Sequence, residues 1–467
     1  MNRPKRTTVC ISLVSLALSL RTLPAQAPAG DRPAEKLIID SEDDKTYYSP
    51  VLRALPVANA NGATTYIQTD QATGLPSVVL HRAGSNKSTV FTPGYGLLGF
   101  PEDYYVGGGG ETPALNDNDD VAIAGGYSGP FIFDEPQDSG GILLLSRAGG
   151  APAIVLRTDG PESEVYPGFG EVIMNNSRDF CFESGLTSTD RTTTRLVRAL
   201  APDYKPERVV RVGDVLPGAP AGTGYWPAID IGGTGQRHVK YLNDFGMVAF
   251  MSFATANAIP GTAGIKGVNG IFRLPVFEPQ MEKVVAAGDA APGLEGTTFR
   301  GIDHFHMNAL GELVLVAVLS DSSTSVWYVN PVLGLRPVAY AGQTVETNLG
   351  PLEIRVGASA KMISSAGAIP FVAGVSSEDD PDFVEAVLLW KPDGTYAVVA
   401  RNQNTAPGLP GGYFVNFQPL SVDASNRVLF SAFVSTLNSG LWIGAPDGAP
   451  LLVAASGSRL RFTPEHQ

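Results

Sequence analysis

Cysteine, histidine and charge are all scarce in this chain, and each scarcity removes a class of chemistry. There are two cysteines in 467 residues, Cys10 and Cys181. Cys10 lies in an apolar run read below as a removed signal, so the mature chain keeps one thiol and no intramolecular disulfide. Cys181, between Phe180 and Phe182, reads as a small buried hydrophobe rather than a reactive thiol. Charged residues make up only 17% of the chain, which argues against long solvated helices. Basic residues are the minority, 33 against 46 acids, for a net charge of −13. Such a surface repels phosphate backbones, so nucleic acid is not expected as a partner. After Val9–Leu20 no apolar run is long enough to cross a bilayer as a helix. Sequence signatures of a G-x-S-x-G elbow, an H-E-x-x-H zinc helix, a phosphate loop and a sialidase-type S-x-D-x-G-x-T-W box are missing as well.

What is plentiful is glycine (53) and proline (36) in a chain that is still 43% hydrophobic. Many turns combined with enough apolar mass describe many short strands, not disorder. At the start, Arg3, Lys5 and Arg6 precede the apolar run Val9–Leu20, and Ala25-Gln-Ala27 offers a small-x-small cleavage site. Residues 1–27 are therefore expected to be a signal peptide, with cleavage after Ala27 or Ala25, and the protein to be secreted or periplasmic. Residues 28–43 read as a Pro- and acid-rich leader, and 44–467 as one repeat array.

The repeat is announced by Leu242-Asn-Asp-Phe-Gly-Met-Val-Ala-Phe250. Asn243 can hydrogen-bond the backbone ahead of it, Gly246 can take a positive φ, and Met247–Phe250 is a β-prone apolar run. The pattern recurs at Asn59, Asn116, Asn175, Asn308, Ser364 and Asp423, in steps of 56 to 68 residues. Each turn is followed by two further short apolar segments. These are joined by a Gly-containing turn such as Arg147-Ala-Gly149, Pro392-Asp-Gly394 or Pro446-Asp-Gly448. A strand before the Asn turn, as in Thr298–Met307, brings the count to four per unit.

Four strands, sixty residues and seven copies are the arithmetic of a seven-bladed β-propeller. Its units run at about 44–95, 96–160, 161–219, 220–293, 294–349, 350–408 and 409–467. Tandem β-sandwich domains are the alternative, disfavoured because sixty residues is short for two sheets. The Asn243, Gly246, Ala249, Phe250 pattern resembles secreted bacterial tandem-repeat proteins defined by Asn-x-x-Gly-x-x-Ala-Phe repeats. That resemblance implies export and a repeat scaffold, and no established chemistry. Asn308 and Gly311 match its turn, while Ser364 and Asp423 replace the Asn.

Residues shared by all copies are explained by folding, so function is sought where one copy departs. The first departure is Asp303-His-Phe-His306. In a strand, His304 and His306 project to one face, half of a transition-metal site. The second, Asn116-Asp-Asn-Asp-Asp120, spaces oxygen donors as a calcium loop begins, but lacks that loop's Gly and distal Glu, and a plain turn is favoured. The third is the long interval before Asn243, where Tyr225 and Trp226 beside Arg237 and His238 could contact a sugar or peptide. Trp327, Trp390 and Trp442, at equivalent places in successive units, read as packing. The paired acids Glu378–Asp380 read as a solvated turn.

The expected role is an exported repeat scaffold binding a protein or glycan ligand, acting as a monomer and without a cofactor. The alternative is a polysaccharide hydrolase or lyase with its site in the propeller channel near His304 and His306.

Overall fold

The structure is a computed structural model. It describes residues 57–455 apart from 60, 62, 70–74, 83–87, 109–112, 131–138, 158–168, 185–194, 227–239, 254–265, 277, 279, 378–382, 424, 437–438 and 447. The signal and leader, Arg237, His238 and the Glu378–Asp380 turn lie outside the described residues.

Among the described residues there is no α-helix, only a single 3-10 turn at Arg147–Gly149. The fold is all-β and of the β-propeller class, the described residues forming seven consecutive antiparallel blades, one per repeat. Contacts divide the chain into two compact units. The first comprises residues 1–214 and 258–265 and holds blades one to three; the second comprises 215–257 and 266–467 and holds blades four to seven. Each repeat yields one sheet rather than two facing sheets, so the tandem-sandwich alternative falls.

Blade five shows the plain form, a four-stranded meander of Phe299–Met307, Leu313–Leu319, Thr324–Asn330 and Gly334–Ala339. Blades one, three, four and seven share its strand order. Blade two departs: two short strands, Tyr105–Gly108 and Ala114–Leu115, share the place of one first strand against Val121–Ser128. Blade six gains a fifth strand, Thr344–Thr347, folded onto its first strand Gly350–Ala360. A parallel pair, Thr223–Gly224 with Lys266–Gly267, stands beside the blades.

Within each unit, cores form between consecutive blades, because each sheet is apolar on both faces. In the second strand of blade five, Leu313, Leu315, Ala317 and Leu319 pack with Ala249, Met251 and Ile271 of blade four. The alternate residues Val314 and Val316 pack with Ile369, Phe371 and Ala373 of blade six. The period of two in a strand thus divides one apolar run between two interfaces. Blade seven repeats this with Val428, Phe430 and Ala432 against Val387 and Leu389 of blade six. In the first unit, Val121 and Ile123 face Val78 and Leu80, while Ala122 and Ala124 face Phe180 and Phe182. Trp327, Trp390 and Trp442 are buried at 0%, 2% and 0% exposure, each in the cluster shared with the preceding blade. Cys181, at 0%, is likewise core.

The repeated turn has one geometry in the six copies whose first and fourth residues are both described. The N–H of its first residue bonds the carbonyl four residues on, at Asn116, Asn175, Asn243, Asn308, Ser364 and Asp423 alike. The N–H at the fourth position bonds back to the first carbonyl, and that fourth residue is left-handed in every case. Glycine fills it at 246, 311 and 367 (φ 83°, 83° and 79°), and Asp119, Arg178 and Asn426 fill it elsewhere. Only glycine enters this region without a Cβ penalty, which accounts for the Gly of the motif.

Candidate functional site

The Asn of the motif has two tasks, one within its blade and one toward the next. Its Oδ1 accepts from the N–H groups two and four residues on, as Asn308 does from Leu310 (3.0 Å) and Glu312 (3.0 Å). Its Nδ2 then donates to the carbonyl of the equivalent residue in the following blade. Asn59 reaches Asn116 at 2.8 Å, Asn116 reaches Asn175 at 3.2 Å, and Asn308 reaches Ser364 at 2.8 Å. These asparagines are buried, so the bonds form out of competition with water. Ser364 and Asp423 keep the first task through Oγ and Oδ1 but have no amide for the second.

A second rule appears at the fifth position of the turn. Asn116, Asn175 and Asn308 also donate Nδ2 to the carboxylates of Asp120, Asp179 and Glu312. Where the first residue is itself acidic, Asp423, the fifth is Arg427, paired with it at 2.7 Å. Glu312 is held further by the hydroxyl of Tyr328 and by Asn330 Nδ2 at 3.2 Å. Burial raises the Tyr328 hydroxyl above the usual phenol range, and its bond to the Glu312 carboxylate works the same way. Arg336 lies 4.9 Å from the ring centres of both Tyr328 and Trp390 and donates to the Pro392 carbonyl at 2.7 Å.

The turn reading of Asn116–Asp120 follows from these bonds. Asn116 Oδ1 is occupied by backbone N–H groups, Asn118 Nδ2 donates to the Asn176 carbonyl, and Asp120 is taken by Ala148 N–H and Arg178. Asn118 and Asp120 thereby tie blade two to blade three, and Asp120 also closes the turn onto Ala148 of its own blade.

His304 and His306 stand on the first strand of blade five, opposite Val316 and Val314. The ring of His304 is held at both nitrogens: Nδ1 faces Asp303 Oδ2 at 2.9 Å, and Nε2 faces the carbonyl of Ala360, in the first strand of blade six, at 2.5 Å. The bond from His304 holds the Asp303 carboxyl below the usual carboxylate range. His306 packs edge-on against Tyr241, ring centres 4.9 Å apart. Among the described residues no three His, Cys, Asp or Glu side chains are grouped to hold a metal ion. The two imidazoles meet separate neighbours, His304 the Ala360 carbonyl and His306 the Tyr241 ring.

The aromatic pair is split too. Tyr225 is 2% exposed and packs edge-on against Phe250 at 5.3 Å, so it belongs to the core and offers no ligand surface. Trp226 is half-buried, its backbone bonded to Ser252 and Phe253.

What the structure does present is polar first strands in the second unit. In blade five Asp303 is exposed and His304 half-buried; in blade six Arg355 and Ser359 are exposed; in blade seven Asn416 and Gln418 are exposed. Their neighbours along each strand, Ile302 and Phe305, Ile354 and Ala358, Phe417, are buried. Arg355 is braced by Glu353 at 3.0 Å and Ser376 at 2.9 Å. On the second and third strands of these blades the exposed side chain among the described residues is Phe433, which is apolar. Sequence reading found Asp303 and His304 through their departure from the other copies, but passed over Arg355, Asn416 and Gln418, whose types are ordinary for any strand edge.

The chain belongs to a family of unknown function, DUF7453, whose profile matches residues 40–356 and 354–467. No curated protein matches it. Similar solved structures include dipeptidyl peptidase 4 of Porphyromonas gingivalis, at 11% identity and TM-score 0.49, over 91% of this chain and 56% of that one. The Dos1 propeller aligns at 12% identity and TM-score 0.33, over 83% and 74% of the two chains. The BP39L lectin of Burkholderia pseudomallei aligns at 8% and 0.34, over 84% and 95%. The chain spans about half the length of the peptidase.

Proposed function

We propose that this protein is an exported binding scaffold whose ligand surface is formed by the first strands of blades five to seven. The observation that carries the reading is the division of labour among strands. Among the described residues, second and third strands of these blades expose no polar side chain, while the first strands keep Asp303, Arg355, Ser359, Asn416 and Gln418 in contact with solvent. Of the charges on these strands, Arg355 is paired with Glu353, Asp303 bonds His304 and Arg300 bonds the Ser322 hydroxyl; the other exposed polar groups named are neutral amides and a hydroxyl. A near-neutral field of donors and acceptors suits a hydroxyl-rich glycan better than a polyanion.

The reading is tested with the purified chain on an array of neutral and uronic-acid oligosaccharides. Binding to a neutral member is expected, with Arg355→Ala and Gln418→Ala each lowering affinity about tenfold, one hydrogen bond's worth. Both side chains are solvent-facing, so the unfolding midpoint should stay within the range of ordinary surface changes. A flat array, or variants that bind as the parent does, removes the assignment.

Export is tested separately. The signal reading of residues 1–27 expects the mature N-terminus at Pro28, or at Gln26 for cleavage after Ala25. N-terminal sequencing of chain recovered outside the cytoplasm decides it, and recovery only of chain starting at Met1 refutes it.

A further inference from the structure

Blades four and six carry the same junction to the next blade, with one substitution that changes its chemistry. In blade four, Asn269 precedes the third strand Gly270–Leu274. Its carbonyl accepts from Ala287 N–H, and the next N–H, of Gly288, bonds the carbonyl of Phe299 at the start of blade five. In blade six the same bonds run from Asn402 to the carbonyl of Glu385 and from Gln403 to that of Phe414 in blade seven. Glu385 therefore occupies the place of Asn269, and Phe417, three residues after Phe414, the place of Ile302.

Asn269 grips Ile302 with two prongs. Its Oδ1 accepts from Ile302 N–H at 2.5 Å, and its Nδ2 donates to the Ile302 carbonyl at 3.2 Å. Glu385 makes the first prong, accepting from Phe417 N–H at 2.8 Å. In an antiparallel strand the N–H and C=O of one residue face the same edge, so the Phe417 carbonyl is presented to Glu385 as well. A carboxylate cannot donate to it; a carboxylic acid can.

We infer that Glu385 is a proton-operated latch between blades six and seven: neutral, it grips both backbone groups of Phe417 as Asn269 grips Ile302, and ionised, it keeps only the N–H. Half-burial of the carboxyl favours its neutral form over the usual range, with the Phe417 N–H pulling weakly the other way. The strands packed on Glu385 supply little charge. Ile369–Ser376 and Phe414–Val422 hold no ionisable side chain, and Tyr396–Arg401 contributes Tyr396 and Arg401, the latter opposite Ala386. The connection to blade seven adds Tyr413.

The sign follows from the neutral form being favoured when folded. The latch is complete at low pH and is lost as pH rises through the folded-state value. Hydrogen exchange of the Phe417 amide in the purified chain, corrected for intrinsic rates, reads it directly. Protection is expected to fall as pH rises from about 4.5 to about 7.5. Glu385→Gln, an amide that donates at any pH, should hold the low-pH protection throughout, about tenfold above parent at the upper end. Asn269→Asp should import the same pH dependence to the Ile302 amide. Equal pH profiles for parent and Glu385→Gln overturn the inference. So does an Ile302 amide in Asn269→Asp that ignores pH, and this arm stands even if Glu385→Gln fails to fold.

Discussion

Asn308→Asp should cost about 3 kcal/mol of unfolding free energy, although it changes a single amide to a carboxylate of the same shape. The new side chain keeps the acceptor for Leu310 and Glu312 N–H, so the turn itself survives. It loses the donor that holds the Ser364 carbonyl of blade six, and it places a second negative charge against Glu312 Oε2, formerly 2.8 Å from Nδ2. Both losses fall at a buried position, where a polar group left unsatisfied carries its full desolvation penalty. Two facing carboxyls favour protonation in the folded state, so the deficit should shrink as pH falls and be largest at neutral pH. Asn308→Ser, which copies Ser364 and adds no charge, should cost about 1 kcal/mol. Urea midpoints of the parent and the two variants check the ranking. If Asn308→Asp proves no weaker than Asn308→Ser, the charge placed against Glu312 contributes nothing; if Asn308→Ser unfolds as the parent does, the inter-blade amide bond contributes nothing.

The same logic explains why blade seven tolerates an aspartate in this place: its fifth position is Arg427 rather than an acid. This coupling between first and fifth positions was already on view in the sequence, as Asn with Asp120, Asp179 and Glu312 but Asp423 with Arg427. Its meaning was not, because the sequence does not say which atom the amide nitrogen faces. The second strands were legible for a related reason. An Asx turn, a left-handed residue and an alternating apolar run are local signals, and they recur at a fixed period. The exceptions are non-local. The paired short strands Tyr105–Gly108 and Ala114–Leu115 share one partner, and the hairpin strand Thr344–Thr347 adds to an edge, features that no local pattern distinguishes from loop.

At the candidate sites the limit was of another kind. Alternation placed His304 and His306 on one side of their strand, but their partners, the Ala360 carbonyl and the Tyr241 ring, lie 56 and 65 residues away. The sequence offers Tyr225 and Trp226 as a sugar or peptide contact because they fall in the long interval before Asn243. Burial of Tyr225 depends on Phe250, which only the folded blade brings to it.

Gly311→Ala should be the second most damaging change, at about 3 kcal/mol. Gly311 holds φ +83°, where an alanine pays roughly 1 to 2 kcal/mol for its Cβ alone. That Cβ would also sit 2.3 Å from Met247 Cε and 3.0 Å from Asn243 Nδ2, both in the preceding blade's turn. The methionine end can swing aside, but Asn243 is fixed by its bonds to Phe245 and Met247 N–H, so the blades must part slightly. Gly394→Ala is the control. Gly394 has φ +87° and nothing within 4 Å of the Cβ it would gain, so only the backbone penalty remains. The difference between the two variants, about 1 to 2 kcal/mol in denaturant titrations, is the packing of one repeated turn against the next. If the two alanines cost the same, the motif glycine serves only its own turn, and the contact between neighbouring turns carries no energy.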